Sequence, residues 1–189
     1  KALCKEIIRR QVILPWVAHA RVDNVTMELA HWMKRAGCSL LRFGIESAVP
    51  RIVQLMKKGG NSTSDWCLAT QRAAEAAHKN GIPTLGLFII GNPTETEMEV
   101  FETIRFALEL PLDFVQVHFF TPYVGSGAYQ IFREKIDSSV ITKQYHFKAP
   151  KKNLSDVDTQ RLVELQTIFY RRFYLRPSWI ARHFTRYGS

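Results

Sequence analysis

The chain has 189 residues, enough for one full core, and its 46% hydrophobic content with four Trp and twelve Phe excludes a disordered or low-complexity polypeptide. A net charge of +9 admits an anionic partner, nucleic acid or lipid, but no apolar run reaches the roughly 18 residues of a membrane span. Cys4, Cys38 and Cys67 are odd in number and far apart in sequence, which offers no CxxC-type metal site and fits unpaired thiols in a reducing, cytoplasmic setting.

The chain opens on Lys1-Ala2-Leu3-Cys4-Lys5 with neither an initiator Met nor a cleavable apolar segment, so it is expected to start inside a longer protein. Lys1 to Arg10 reads as the end of a helix with Leu3, Ile7 and Ile8 on one face, and Val12 to Ala20 as a strand. A helix follows, capped by Asn24 or Thr26, with Val25, Leu29, Trp32, Met33 and Ala36 at helical spacing and Gly37 as a left-handed stop. Ser39 to Glu46 alternates: Leu41, Phe43 and Ile45 share one face, Leu40, Arg42, Gly44 and Glu46 the other. With the apolar trio on the helix layer, Arg42 and Glu46 point inward, which is costly unless they are paired or bind something.

Pro50 to Lys57 reads as a short helix ended by Gly59-Gly60, and Ser64 to Lys79 as a longer alanine-rich one stopping at Gly81. The run Thr84-Leu-Gly-Leu-Phe-Ile-Ile-Gly91 then suggests a strand buried on both faces. Thr96 with Glu99 forms a capping box, and Glu95, Glu97 and Glu99 suit the positive end of a helix running to Glu109. Ligands collect at such strand-to-helix ends; a plain tight connection is the alternative. Phe114 to Phe120 is a fourth strand, with Val115, Val117 and Phe119 on one side and Gln116, His118 and Phe120 on the other; His118 is either a structural histidine or a substrate contact. A short helix from Ala128 to Lys135 leads into a polar stretch, Asp137 to Asn153; Ser155 caps a long helix carrying Leu162, Leu165, Ile168, Phe169 and Phe173, and Pro177 starts another. In this tail Arg171, Arg172, Arg176, Arg182 and Arg186 interleave with Phe173, Tyr174, Trp179, Phe184 and Tyr187, a mixture that suits nucleic acid or a helix pair whose aromatics pack inward. Four βα units and a helical tail predict an α/β fold: a partial TIM-type (β/α) barrel of parallel strands with outer helices over residues 1–135, and a helical extension over 136–189.

Four ordered stretches resemble the later strands of radical S-adenosylmethionine (SAM) enzymes, most closely those that carry a cobalamin-binding domain ahead of the barrel. They are Trp16-Val-Ala-His-Ala-Arg-Val-Asp23, Phe43-Gly-Ile-Glu-Ser47 with Met56-Lys-Lys-Gly59, Phe88-Ile-Ile-Gly-Asn-Pro-Thr-Glu-Thr96, and Phe120-Thr-Pro-Tyr-Val-Gly-Ser126. The tail Tyr170-Arg-Arg-Phe-Tyr-Leu-Arg-Pro177 is similar too. Departures are Ala48-Val49 where Gly-Ser is usual, Asn92 for an apolar residue, and Thr94 and Val124 for Gly and Pro. The family's C-x-x-x-C-x-x-C loop, which holds a 4Fe-4S cluster, is absent from the sequence, so the resemblance implies cluster ligands outside this chain and a fragment inactive alone. It also implies SAM bound at the strand ends: Glu46 accepting from the ribose or ammonium, Arg21 pairing with the carboxylate, Gly91 letting the backbone approach the adenine, Phe88 and Ile90 as apolar wall or plain core, and Phe120 with Pro122 over the base. Gln116 and His118 are the candidate contacts to a small-molecule substrate, and cobalamin, if used, would bind outside this chain. The competing reading is a basic nucleic-acid-binding module built on the Arg and aromatic tail.

Overall fold

The computed structural model describes residues 1–56, 64–123, 127–132, 150 and 152–187. Its centre is a four-stranded parallel sheet in the order β1 (Trp16–Ala20), β2 (Cys38–Glu46), β3 (Thr84–Ile90), β4 (Phe114–Phe119). Helices α1 (Ala2–Arg9), α2 (Met27–Arg35), α3 (Pro50–Leu55), α4 (Ser64–Lys79), α5 (Glu97–Glu109) and α6 (Gly127–Phe132) follow the chain, and α7 (Thr159–Tyr174) and α8 (Pro177–Tyr187) form the tail. Leu41, Phe43, Ile45, Phe88, Ile90, Val117 and Phe119 turn one face of the sheet into a core shared with α4, α5 and α7. The opposite, concave face carries the half-exposed Arg42, Gly44, Leu85, Leu87, Ile89, Gln116 and His118.

Local chemistry sets most element ends. Thr26 caps α2 by accepting from Leu29 N–H at 3.1 Å, and Gly37 leaves the helix at φ +91° with its Cβ direction blocked 2.9 Å away by the Leu14 carbonyl. The reciprocal capping box of Thr96 and Glu99 opens α5.

Four expectations need correcting. β1 begins at Trp16 because Pro15 has no N–H to give a ladder, and Val12, Ile13 and Leu14 lie exposed outside it. In α1, Leu3 is 70% exposed while Cys4 takes the buried position. α7 is capped by Asp158, whose carboxylate accepts from Gln160 N–H and Arg161 N–H; Ser155 instead bonds Asn153 and Val157 in the preceding turn. β3 is buried on one face only. The Gly59-Gly60 stop, Val124 and most of the polar stretch 137–153 lie outside the described residues.

The free edge of β4 is covered by side chains of the tail. Tyr170 Oη accepts from Val117 N–H (2.9 Å) and faces its carbonyl (3.4 Å); Tyr174 Oη does the same for Val115, at 3.0 Å each way. Gln166 Nε2 donates to the Val117 carbonyl and Trp179 Nε1 to that of Asp113, at 2.8 and 2.7 Å. The match is geometric: four residues of helix rise about 6.0 Å and two of strand about 6.6 Å, so tyrosines four apart meet strand residues two apart. Arg176 donates to the Phe173 and Leu108 carbonyls, capping the ends of α7 and α5. The tail aromatics Tyr170, Tyr174 and Trp179 are thus engaged in packing and edge bonds, which gives the nucleic-acid reading no support.

Candidate functional site

All four strands are parallel, so their carboxyl ends share one rim. Two of these ends are held in unusual backbone geometry. Glu46 has φ +66°, next to a register shift between Gly44 and Glu46, a costly conformation for a residue with a side chain and one that concentrates at functional sites. Its neighbours keep it there. The Trp66 indole of α4 donates to the Ile45 carbonyl at 3.0 Å, Ser47 N–H bonds the same carbonyl at 2.9 Å, and Thr103 Oγ1 of α5 meets Ser47 Oγ and Ala48 N–H at 3.1 and 3.2 Å. Trp66 and Thr103 carry no sequence signal of this role, since contacts between residues this distant along the chain leave no periodic trace.

β3 ends in a comparable turn. Gly91 has φ +77° and sits so close to α7 that a Cβ would lie 3.0 Å from Leu162 Cδ1. Thr94, at the position where the family pattern has glycine, adopts φ +59°, tied by Arg51 Nη1 to its hydroxyl (3.0 Å) and by Arg51 Nη2 to its carbonyl (2.7 Å). Arg51 also pairs with Glu99, so one guanidinium links the helix after β2 to the turn after β3. Inside that turn the Asn92 N–H and side-chain amide donate to Glu95 Oε2 at 2.9 and 3.1 Å. Burial pushes the fully enclosed Glu95 carboxyl up to about 7, against the pull of the Asn92 and Gly91 donors.

Arg21, Glu46, Gly91, Phe120 and Pro122 all lie at this rim. Arg21 donates from Nε and Nη2 to Asp23 at 3.1 and 2.7 Å, with its guanidinium 5.8 Å from the Trp66 ring centre: the Arg-x-Asp turn supplies a carboxylate of its own. Phe120 N–H bonds the Ile90 carbonyl at 2.9 Å, and the Phe120 side chain, expected beside His118, is buried at 9% exposure. Gln116 and His118 lie on the half-exposed face of the sheet, paired in register with Leu87 and Ile89.

Phe88 and Ile90 do not line the concave side. Both are fully buried against the helix layer, and the Phe88 ring lies 5.1 Å from that of Phe169 on α7. The inward apolar residues of β3 are Leu85, Leu87 and Ile89. The sequence held one signal for this phase: Gly86, in step with Phe88, is where a Cβ would strike Leu112 at 2.7 Å and Phe88 at 2.8 Å. The cysteines are free; Cys4 and Cys38 are buried, and burial pushes the Cys38 and Cys67 thiols up. Among the described residues no three His, Cys, Asp or Glu side chains are grouped to hold a metal ion. No described helix is long and apolar enough to cross a membrane.

By fold and rim, the chain is part of a (β/α) barrel of the kind that takes ligands at the carboxyl ends of its strands. No family model matches it. It is 34% identical over 173 residues to an uncharacterised methyltransferase of Pyrococcus horikoshii, covering 89% of this chain and 36% of that protein. It is 25% identical over 185 residues to the anaerobic magnesium-protoporphyrin IX monomethyl ester cyclase of Rubrivivax gelatinosus, covering 97% and 32%. The radical SAM methyltransferase TsrM from Kitasatospora setae, solved with tryptophan substrate and a SAM analogue bound, superposes with a TM-score of 0.60 at 19% identity, over 70% of this chain and 27% of that one. The chain thus shares its fold with a solved radical SAM methyltransferase. It spans about a third of the length of the curated relatives it matches.

Proposed function

We propose that residues 1–135 are the later strands of a radical SAM core, with 136–189 as a helical extension, and that the rim described above holds SAM in the whole protein. The observation that carries this reading is Glu46: a carboxylate at a strand end, in strained left-handed backbone geometry pinned from α4 and α5. A conformation this costly persists where the surroundings over-determine it. Glu46 would accept from the ribose or ammonium of SAM, the rim at Gly91 and Phe120 would face the adenine, and Gln116 and His118 would meet a small-molecule substrate. The residues present fit SAM but not a 4Fe-4S cluster, for which the dispersed cysteines offer no thiolate set; the cluster ligands, and any cobalamin site, would belong to other parts of the protein. With both groups bound, SAM would supply a methyl group or a 5′-deoxyadenosyl radical. This chain's own residues would orient SAM and exclude water. The methyltransferase relative and the TsrM fold favour methyl transfer, while the cyclase relative shows that a related sequence serves another outcome.

The test is a SAM titration of the full-length protein. Glu46→Gln should weaken binding about tenfold or more, the range for a hydrogen bond to a charged group, with an unaltered circular dichroism spectrum. Equal affinity for the two proteins would remove Glu46 from the site.

A further inference from the structure

The concave face holds a cation that the reading above leaves unused. Across the sheet, His19, Arg42, Leu85 and Phe114 form one row in register. Arg42 is half-buried, its Nε is buried without an acceptor, and among the described residues its polar contact is with the exposed His19, whose Nε2 lies 3.5 Å from Nη1. No described carboxylate pairs with it. By contrast, Arg21, Arg51 and Arg161 all hold acidic partners. A guanidinium does not shed its charge, so a half-buried one facing the inside of a barrel calls for an anion. Its planar fork suits a carboxylate gripped by two parallel N–H donors, and Leu85 beside it offers an apolar wall.

We infer that Arg42, steadied by the exposed His19, is a carboxylate-binding subsite for the substrate on the sheet face opposite the helix-packed core. Arg42 precedes Glu46 by four residues on the same strand, which places it about 13 Å from the rim at about 3.3 Å per residue. The substrate class is therefore an acid whose carboxylate lies roughly that far from the carbon that reacts. This rests on reading the concave face as the substrate chamber.

The experiment uses succinate as probe and the side-chain resonances of Arg42 Nε–H and His19 as readout, in this chain and in the full-length protein. Saturable shifts at millimolar succinate, absent with chloride at equal ionic strength, lost in Arg42→Gln and weakened several-fold in Arg42→Lys, are expected. If Arg42→Gln fails to fold, the Arg42→Lys comparison decides. Shifts that do not saturate, that persist in Arg42→Gln, or that chloride reproduces overturn the subsite. So does a full-length protein in which Arg42 is insensitive to succinate, since another part of the chain then supplies the carboxylate. A parallel SAM titration separates the two readings: Arg42→Gln should leave SAM affinity unchanged, and loss of the Glu46 effect alone would sink the rim assignment while the succinate result stood.

Discussion

Replacing Glu95 by Gln should change how stability depends on pH. The carboxyl is fully enclosed, with Oε2 on the Asn92 donors and Oε1 without a partner. Burial raises it from an ordinary 4.5 to about 7. The folded state therefore holds its proton more tightly than the unfolded state, so this group's contribution is fully present below pH 4.5 and is lost as pH rises through 7. A shift of that size corresponds to about 3 kcal/mol. Glutamine keeps an oxygen for the Asn92 N–H and never ionises. Urea unfolding read by the fluorescence of buried Trp66 should show the two proteins nearly equal at pH 4.5, with Glu95→Gln more stable by up to about 3 kcal/mol at pH 8. Taking the difference between them cancels titrating groups that do not couple to Glu95, such as Glu97, whose partner Arg161 favours its charged form. A difference that stays flat from pH 4.5 to 8, or that favours the wild type at high pH, would refute the argument.

Gly91→Ala should lower stability by about 2 kcal/mol, from the left-handed φ and the contact with Leu162; a change in the urea midpoint worth less than 0.5 kcal/mol would mean the turn relaxes freely. Tyr170→Phe and Tyr174→Phe should each cost about 1–2 kcal/mol and speed amide exchange at Val117 and Val115 respectively, and unaltered exchange would show that water replaces the hydroxyls without loss. Asp158→Ala should cost about 1 kcal/mol through the lost cap of α7, with Ser155→Ala leaving helicity by circular dichroism unchanged; the opposite order would restore Ser155 as the cap.

What the sequence revealed was whatever two or three neighbouring residues decide. The Thr96 and Glu99 box, the Gly37 stop and the alternation of Leu41, Phe43 and Ile45 each follow from local spacing, and together they fixed the βα rhythm and the rim. The phase of β3 was nearly hidden because six of its seven residues are apolar or glycine, so period two left little contrast beyond Gly86; the contact of Phe88 with Phe169, supplied by a helix far along the chain, shows which side is core. The sequence points to Ser155 as the cap of α7, three residues early, because the turn around Asn153 that claims the serine and leaves Asp158 to cap has no signature in spacing. The supports of Glu46 were invisible for a similar reason: Trp66 and Thr103 look like ordinary members of amphipathic helices, and nothing in their own segments announces the strand they reach.

The tyrosine-lined border of β4 makes the sheet one-ended. With amides and carbonyls there already answered by phenols, an amide and an indole, no foreign strand can zip onto that side without first peeling away α7, while no strand among the described residues pairs the outer border of β1. Any further strand, whatever its origin, has to be recruited on the β1 flank, and a lesion at Tyr170 or Tyr174 would open a second front for unwanted self-association.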